Sequence, residues 1–222
     1  DLALYREIAP QNIEFDGKVM PNLIVEIKGK KRPDEIVVVG AHYDTVNNTP
    51  GADDNATGVA AMLELCRAFC RRNNDRTIRF IAFANEEQGL YGGKAYAAKH
   101  AADAAKHQLA AESDFGAGRI YAFNTSAPEH ALAATRQIAE ALAPLGIEYT
   151  PGKGGPGPDV GPVAEKGAAW AWLAQDGSDY FDLHHNADDT LDKIDPKALA
   201  QNVAAYTVFA YLAAEADGDF GS

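Results

Sequence analysis

Short apolar runs rich in β-branched residues alternate along the chain with longer stretches of helical periodicity. Residues 36–39 (IVVV) form an unbroken apolar run, which is typical of a parallel strand buried on both faces. Further strands are predicted at 22–28, 77–84, 108–111, 119–123 and 168–174. Apolar residues recur at helical spacing over 59–70, 132–142 and 199–213. This alternation indicates an α/β domain with a mostly parallel sheet that is covered by helices on both faces.

Local signals mark where two of these helices begin. The spacing Ser126-x-x-Glu129 predicts a capping box ahead of the second helix. Asp195 followed by Pro196 predicts the start of the last helix, with a cap and then a first-turn proline. Between them, residues 151–162 (PGKGGPGPDVGP) predict a glycine-rich loop without regular structure. The 222 residues are an ordinary length for one α/β domain, so we expect a single domain.

The charge balance argues against some classes of partner. Asp and Glu number 32 against 20 Lys and Arg, which gives a formal net charge of −12. A nucleic acid or an anionic membrane surface requires a basic face, so we expect neither as a partner. No apolar run approaches the ~18 residues of a membrane span, and the start at Asp1 lacks the pattern of a signal peptide. Because the chain does not begin with Met, we interpret it as processed or truncated, with residues 1–21 as the candidate remnant of a longer N-terminal region.

Polar residues cluster at or soon after the predicted strand ends, where ligands bind in sheets of this kind. Hydrophobic strands are not expected to run into several carboxylates unless a cation compensates them. The clusters are residues 42–44 (HYD), 51–55 (GADDN), 85–87 (NEE), 112–114 (ESD) and 184–190 (HHNADDT).

The ligand types in these clusters favour zinc. Imidazole and carboxylate without a nearby thiolate form catalytic rather than structural zinc sites. As ligands, Asp54, Glu87 and Asp114 bring three negative charges, whereas His42 and His185 are neutral. One Zn²⁺ would leave this set negative, but two Zn²⁺ and one hydroxide ion neutralise it. The charge count therefore predicts a paired site, with ions about 3.5–4 Å apart and one carboxylate between them.

Taken together, these clusters resemble the co-catalytic di-zinc aminopeptidase family. The matching motifs are His42-x-Asp44, residues 51–58 (GADDNATG), residues 85–87, residues 112–114 and His185-x-x-x-Asp189-Thr190. The later half is most similar to the plasma glutamate carboxypeptidase (carboxypeptidase Q) branch, through residues 112–114, 159–162 (DVGP) and 180–196 (YFDLHHNADDTLDKIDP). The resemblance covers about residues 22–215. It implies a three-layer α-β-α fold with a mostly parallel, mixed central sheet, as in zinc exopeptidases.

The resemblance also implies how the metal ligands divide between two zinc ions. His42 and Asp114 match the ligands of one ion. Glu87 and His185 match the ligands of the other ion. Asp54 matches the carboxylate that bridges them.

The neighbouring acids receive their roles from the same resemblance. Asp53 is the competing choice for the bridge, but the family's ligand is the acid directly before Asn or Asp, which selects Asp54. Asp44 would hydrogen-bond the far ring nitrogen of His42 and fix its tautomer. Glu86 matches the general base, which takes a proton from the metal-activated water and passes it to the leaving amine.

Three residues near the ligands keep alternative interpretations. Tyr180 is the candidate hydrogen-bond donor to the oxyanion, with packing at the rim of the site as the alternative. His184 is interpreted as a histidine that supports its neighbouring ligand or packs in the core. Asp159 is assigned to the pocket wall or to a helix cap.

These features predict a zinc exopeptidase that acts on short peptides or dipeptides and hydrolyses the bond next to a free N-terminus. An acidic rim suits the terminal ammonium group of such a substrate. The alternative on the same site is a dipeptidase or carboxypeptidase, which needs a fixed cation for a free carboxylate. Lys153 is the only cation in the glycine-rich loop and would support that alternative.

Two other classes of function compete with the peptidase. A glutaminyl cyclase-like acyltransferase shares the fold and ligand pattern around one zinc ion, but its insertion after the Glu pair is missing from residues 87–93 (EQGLYGG). A non-catalytic binding module would have lost metal ligands, whereas all five ligand positions are filled here. From the relatives, we expect a secreted or periplasmic location.

Overall fold

Nine strands and six α-helices follow one another along the described part of the chain. The computed structural model describes residues 13–15 and 17–221, so most of the candidate remnant, residues 1–12, lies outside the described residues. The strands are β1 (Ile13–Phe15), β2 (Lys18–Met20), β3 (Leu23–Ile27), β4 (Arg32–His42), β5 (Arg76–Phe83), β6 (His107–Glu112), β7 (Ile120–Thr125), β8 (Glu148–Tyr149) and β9 (Ala171–Gln175). The α-helices are α1 (Thr57–Phe69), α2 (Tyr91–His100), α3 (Leu132–Leu142), α4 (Gly161–Ala164), α5 (Tyr180–Leu183) and α6 (Pro196–Glu215). Within the described part of the chain, no helix is long and apolar enough to cross a membrane.

The central sheet is mixed and mostly parallel, as predicted. Four strands lie in the order β3-β5-β4-β6, with β4 parallel to both of its neighbours and β3 antiparallel at the edge. Three further strands lie in the order β8-β7-β9. The two groups are linked where the Ala110 amide donates to the Ala169 carbonyl at 2.9 Å, next to a parallel bridge from Ala110 to Trp170. β1 and β2 form a separate antiparallel pair.

Helices cover both faces of this sheet because side chains along β4 point alternately to opposite sides. Val37 and Val39 belong to the apolar cluster that α1, α3 and α6 complete. Ile36 and Val38 belong to a second cluster, completed by α2 and α4. The unbroken apolar run seen in the sequence is thus a strand buried on both faces, and the architecture is the predicted three-layer α-β-α fold.

One of the two predicted helix starts is confirmed and the other is wrong. Oδ1 of Asp195 accepts a hydrogen bond from the Lys197 amide at 2.9 Å, so Asp195 caps α6 as predicted. Ser126 does not cap α3, which begins only at Leu132 after a short 3₁₀ turn. Its Oγ atom instead accepts from the Trp170 amide at 2.8 Å, because the chain just beyond β7 still lies beside the chain leading into β9.

Helix α2 was not predicted, because its sequence (YGGKAYAAKH) has two glycines and no apolar stripe. The glycines are required by close packing rather than by helix propensity. A Cβ atom at Gly92 would lie 2.5 Å from the Ala84 carbonyl oxygen, and one at Gly93 would lie 2.5 Å from the Asp159 carbonyl oxygen. The helix therefore packs tightly against the end of β5 and the glycine-rich loop, which fixes the intervening segment 85–90.

A buried network of hydrogen bonds joins β5, α2 and β6. Arg79 donates to the Tyr96 hydroxyl at 2.6 Å, and that hydroxyl donates to Nε2 of His107 at 2.6 Å. The Nδ1 atom of His107 lies 3.2 Å from the Asp103 carbonyl and 3.1 Å from the Ala104 carbonyl. The neutral imidazole is therefore fully hydrogen-bonded. Burial, together with the Arg79 charge, lowers the pKa of His107 to about 4.

This shift predicts a pH dependence of stability. Between about pH 6.5 and 4 the unfolded chain binds a proton at His107 that the folded chain does not, so the free energy of unfolding falls as the pH falls. The full loss is about 3 kcal/mol. We expect the difference in the free energy of unfolding between the wild type and His107→Gln to decrease by about 2 kcal/mol from pH 7 to about pH 4.5. Urea unfolding at both pH values measures this difference. The other titrating groups are common to both proteins, so a difference that stays constant with pH would contradict this assignment.

Candidate metal centre

The polar clusters predicted from the sequence meet at one edge of the central sheet. β4 runs parallel to β5 and β6, so the carboxyl ends of these three strands lie side by side. Two loops complete the site: residues 52–56, before α1, carry Asp54, and residues 184–190, after α5, carry His185. The strand ends carry His42 on β4, Glu86 and Glu87 after β5, and Asp114 after β6.

His42 lies between two carboxylates. Its Nε2 atom is 2.8 Å from Oδ1 of Asp114 and 3.0 Å from Oδ1 of Asp54. Burial opposes protonation of the ring, but the hydrogen bonds with Asp114 and Asp54, together with the nearby Asp44 carboxylate, outweigh it and raise the pKa of His42. One nitrogen and two carboxylate oxygens therefore define the first half of the site.

His185 and Glu87 form the second half, on the other side of Asp54. Nε2 of His185 is 2.7 Å from Oε2 of Glu87 and 3.6 Å from Oδ2 of Asp54. Asp54 thus presents Oδ1 to His42 and Oδ2 to His185. All five residues predicted as metal ligands lie together, with Asp54 in the middle.

The donor set fits metal ions. Burial raises the pKa of the Glu87 and Asp114 carboxyls, since each is removed from water among other anions. Oε1 of Glu87 is buried and has no hydrogen-bond partner among the described residues. Ligand atoms of His42, Asp54 and Asp114 lie within 4.8 Å of one another. Imidazole nitrogens and carboxylate oxygens at these separations suit zinc.

Asp44 supports the site differently from the prediction. The Nδ1 atom of His42 lies 3.0 Å from the backbone carbonyl oxygen of Asp44 but 3.7 Å from its Oδ1 atom. The predicted hydrogen bond is therefore made by the carbonyl, which accepts from Nδ1 and fixes the tautomer. The carboxylate instead accepts from the backbone amides of Glu86, at 3.0 Å, and Glu87, at 3.3 Å. Asp44 thus orients the Glu pair with its side chain.

Asp53, the competing choice for the bridge, is not among the converging ligand atoms. Its Oδ1 atom accepts from the Ala117 amide at 2.7 Å. The loop that carries Asp53 and Asp54 is held by Asp189, a buried carboxylate that accepts from the Asp53 amide at 2.5 Å and the Asp54 amide at 3.1 Å. This role of Asp189 was not predicted, although its place in the His185-x-x-x-Asp189 motif was a signal.

Glu86 lies beside the metal ligands. Burial raises its pKa to about 7, and the charge of Asp114 adds to the shift. A carboxyl with such a pKa can accept a proton and donate it again near neutral pH. One oxygen of Glu86 also lies within 4.8 Å of ligand atoms of His42 and Glu87. The geometry therefore permits Glu86 to act as a base or as a ligand.

Aromatic side chains border the site on the side of α5. Tyr180 is buried and stacks on Phe115, with ring centroids 4.6 Å apart. Burial raises the pKa of the Tyr180 phenol, as do the nearby charges of Asp54 and Asp114. His184 stacks on His185 with ring centroids 3.6 Å apart, and its Nε2 atom lies 3.6 Å from Oδ2 of Asp54. His184 therefore lies in the site and not in the core.

A cavity of about 360 Å³ opens beside Asp114, with Trp172 in its wall. Asp159 of the glycine-rich loop is not part of that wall. Its Oδ1 atom accepts from the Gly93 amide at 3.1 Å, in the first turn of α2. Lys153 is exposed and does not line the cavity either. Of the two interpretations of Asp159, the structure therefore shows the helix cap.

This fold and this convergence of histidines and carboxylates match a known family of peptidases. The chain belongs to peptidase family M28, whose family model matches residues 22–210. The predicted resemblance to co-catalytic zinc exopeptidases is thus confirmed.

Curated relatives include carboxypeptidases and aminopeptidases. Carboxypeptidase Q from Mus musculus is 29% identical over 214 residues, covering 93% of this chain and 45% of that protein. Aminopeptidase YwaD from Bacillus subtilis is 46% identical over 84 residues, covering 37% of this chain and 18% of that protein. The chain therefore spans less than half the length of these relatives.

Solved structures show the same fold. A peptidase M28 precursor from Shewanella amazonensis SB2B superposes with a TM-score of 0.86 at 44% identity, covering 90% of this chain and 46% of that chain. BSAP, a zinc aminopeptidase from Bacillus subtilis, superposes with a TM-score of 0.71 at 26% identity, covering 91% and 52%. The predicted fold class is confirmed by both superpositions.

The contacts of Asp189 predict that it controls metal affinity without touching a ligand side chain. Asp189→Ala removes both acceptors for the loop amides, so we expect the affinity for Zn²⁺ to fall by about 10–100-fold. The matched control is Asp188→Ala, since Asp188 is exposed and lies next in the chain. Competition with a chromogenic chelator measures both variants. Equal zinc affinity in Asp189→Ala and the control would contradict the proposed support.

Proposed function

We propose that this chain forms the catalytic domain of a zinc-dependent exopeptidase that hydrolyses the peptide bond next to a free N-terminus. The observation that supports this is the position of Asp54, with one oxygen toward His42 and the other toward His185. A carboxylate in this position can bridge two cations, as in co-catalytic sites. The chemistry supplied by bound zinc is the acidification of a water molecule and the polarisation of the peptide carbonyl.

The ligands would divide as the sequence suggests. His42 and Asp114 would hold one ion, since Nε2 and Oδ1 lie 2.8 Å apart. Glu87 and His185 would hold the other, with Oε2 and Nε2 2.7 Å apart. The two pairs lie on opposite sides of Asp54, which supports two ions rather than one.

Glu86 would act as the general base. Its backbone amide is fixed by Asp44, and burial places the pKa of its carboxyl at about 7. Glu86 takes a proton from the attacking water and delivers it to the leaving amine nitrogen. The neighbouring Glu87 is tied to His185, which leaves Glu86 to carry the proton.

The charges around the cavity favour a substrate with a free α-ammonium group. Asp114 and Glu112 both line the cavity, and its described lining contains no Lys or Arg. A lining that has acidic groups and no fixed cation suits an ammonium group better than a free carboxylate. A dipeptidase or carboxypeptidase is the second candidate, because several relatives are named carboxypeptidase Q.

Substituting Glu86 and Glu87 one at a time distinguishes the general base from the metal ligand. Glu86→Gln removes the proton acceptor, so we expect full zinc content, a nearly unchanged KM and a kcat lower by about 10²–10⁴-fold. Glu87→Gln removes an anionic ligand, so we expect weaker zinc binding and lower stability, partly restored by added zinc. Metal analysis and turnover of aminoacyl anilides on both variants provide the measurement.

Two outcomes would contradict these roles. If Glu86→Gln loses zinc while Glu87→Gln keeps it, base and ligand are reversed. If neither substitution affects hydrolysis, the Glu pair is not the catalytic centre and the peptidase proposal fails.

Blocking either end of a dipeptide tests which terminus is bound. We expect N-acetylation to lower kcat/KM by about 100-fold or more, because it removes the ammonium group and leaves the carboxylates without a partner. Amidation of the C-terminus should have little effect. The reverse pattern would favour the carboxypeptidase-type alternative, and Lys153→Ala would then show whether this exposed lysine binds the substrate carboxylate.

A further inference from the structure

A second histidine reaches the centre of the site alongside the predicted ligand. The Nε2 atoms of His184 and His185 are each 3.6 Å from Oδ2 of Asp54. Only His185 has an additional carboxylate partner among the described residues, Oε2 of Glu87 at 2.7 Å. His184 thus points a ring nitrogen at the reaction site without sharing the contacts of the ligand.

The stacking of the two rings limits what His184 can do there. Their centroids are 3.6 Å apart and their planes differ by 22°. Ligand atoms of Asp54, His184 and His185 lie within 4.8 Å of one another. A ring nitrogen binds a metal along its ring plane, however, and two nearly parallel stacked rings are poorly arranged for tetrahedral coordination of one ion. With His185 paired to Glu87, the Nε2–H group of His184 is suited to donating a hydrogen bond.

Tyr180, the donor expected from the sequence, is less accessible to a substrate than His184. Its ring stacks on Phe115, with centroids 4.6 Å apart, and packs against His184, with centroids 5.1 Å apart. Tyr180 is 6% exposed as a residue, whereas the His184 side chain is 32% exposed.

We propose that His184 is a further catalytic residue, whose Nε2–H group donates a hydrogen bond to the carbonyl oxygen of the scissile bond. The proposal rests on the peptidase function proposed above. As water attacks, negative charge develops on this oxygen, and a donor fixed in place stabilises it. The proton stays on His184 throughout, while Glu86 moves the proton from water to the leaving amine. The rings of Tyr180 and His185, packed against His184, hold the imidazole in position.

Three variants of the full chain test this role. His184→Phe keeps an aromatic ring between Tyr180 and His185 but removes the donor. His184→Gln retains an N–H donor. His130→Phe is the matched control, because His130 is exposed on the turn before α3.

The readouts are zinc content, kcat and KM for an aminoacyl anilide, and calorimetric binding of a phosphinic dipeptide, whose tetrahedral phosphorus resembles the attacked carbonyl. For His184→Phe we expect full zinc content, a KM within about threefold, and a kcat lower by about 10²–10³-fold. The phosphinic dipeptide should bind more weakly by a similar factor, since it presents the same oxygen charge. His184→Gln should recover part of both losses, and the control should match the wild type.

Different results would overturn the inference in distinguishable ways. If His184→Phe loses zinc, His184 is a metal ligand and not a donor. If it keeps both its kcat and its affinity for the phosphinic dipeptide within about threefold of the wild type, His184 does not touch the reacting oxygen. If the zinc-loaded wild type hydrolyses no aminoacyl anilide or dipeptide, the proposed function itself fails, before any variant is compared.

Discussion

The concentration of buried carboxylates at one edge of the sheet is the constraint on which the rest of the site depends. Burial raises the pKa of Glu86, Glu87 and Asp114, which shows how unfavourable their charges are in this environment. Asp54 is the exception: burial also acts on it, but the hydrogen bond and charge of His42 lower its pKa. Mutual repulsion would drive the strand-end loops apart unless cations offset it. This acidic edge of the sheet therefore needs support from the surrounding structure.

That support comes from carboxylates that bind backbone amides of a neighbouring loop. Each of three acids accepts hydrogen bonds from two successive amides, and each pair of amides lies at or near a functional side chain. Each acid holds two neighbouring amides at once, so these contacts fix the positions of the loops. The three are Asp44 with the amides of Glu86 and Glu87, Asp189 with those of Asp53 and Asp54, and Glu112 with those of Asp159 and Val160.

Much of this arrangement was predictable from the sequence, because strand ends of parallel neighbours must meet at one edge. The periodicity placed the central strands, and the polar clusters after them identified the site. Choosing the metal ligand within each pair of adjacent acids was harder, since Asp53 and Asp54 have identical side chains. The family pattern selected Asp54, and the structure shows the physical difference: Asp53 accepts from the Ala117 amide, while Asp54 faces His42. For Glu86 the geometry still permits a ligand as well as a base.

The features that sequence reasoning missed share a cause, which is that their partners are backbone groups. The partners of Asp189 are backbone amides, which every residue except proline has. A sequence motif therefore does not indicate them. The same holds for Asp44, whose carbonyl rather than carboxylate contacts His42. Helix α2 was not predicted because glycine has a low helix propensity. Gly92 and Gly93 are instead required where the backbone of α2 packs closely against the backbones of Ala84 and Asp159. The metal ligands can be identified from the chemistry of their side chains. Their positions relative to one another depend on contacts with backbone groups, which no side chain in the sequence indicates. A chain that keeps all five ligands but loses Gly93 would still match the ligand motifs, and it would lack the close packing of α2 that fixes the segment carrying Glu86 and Glu87.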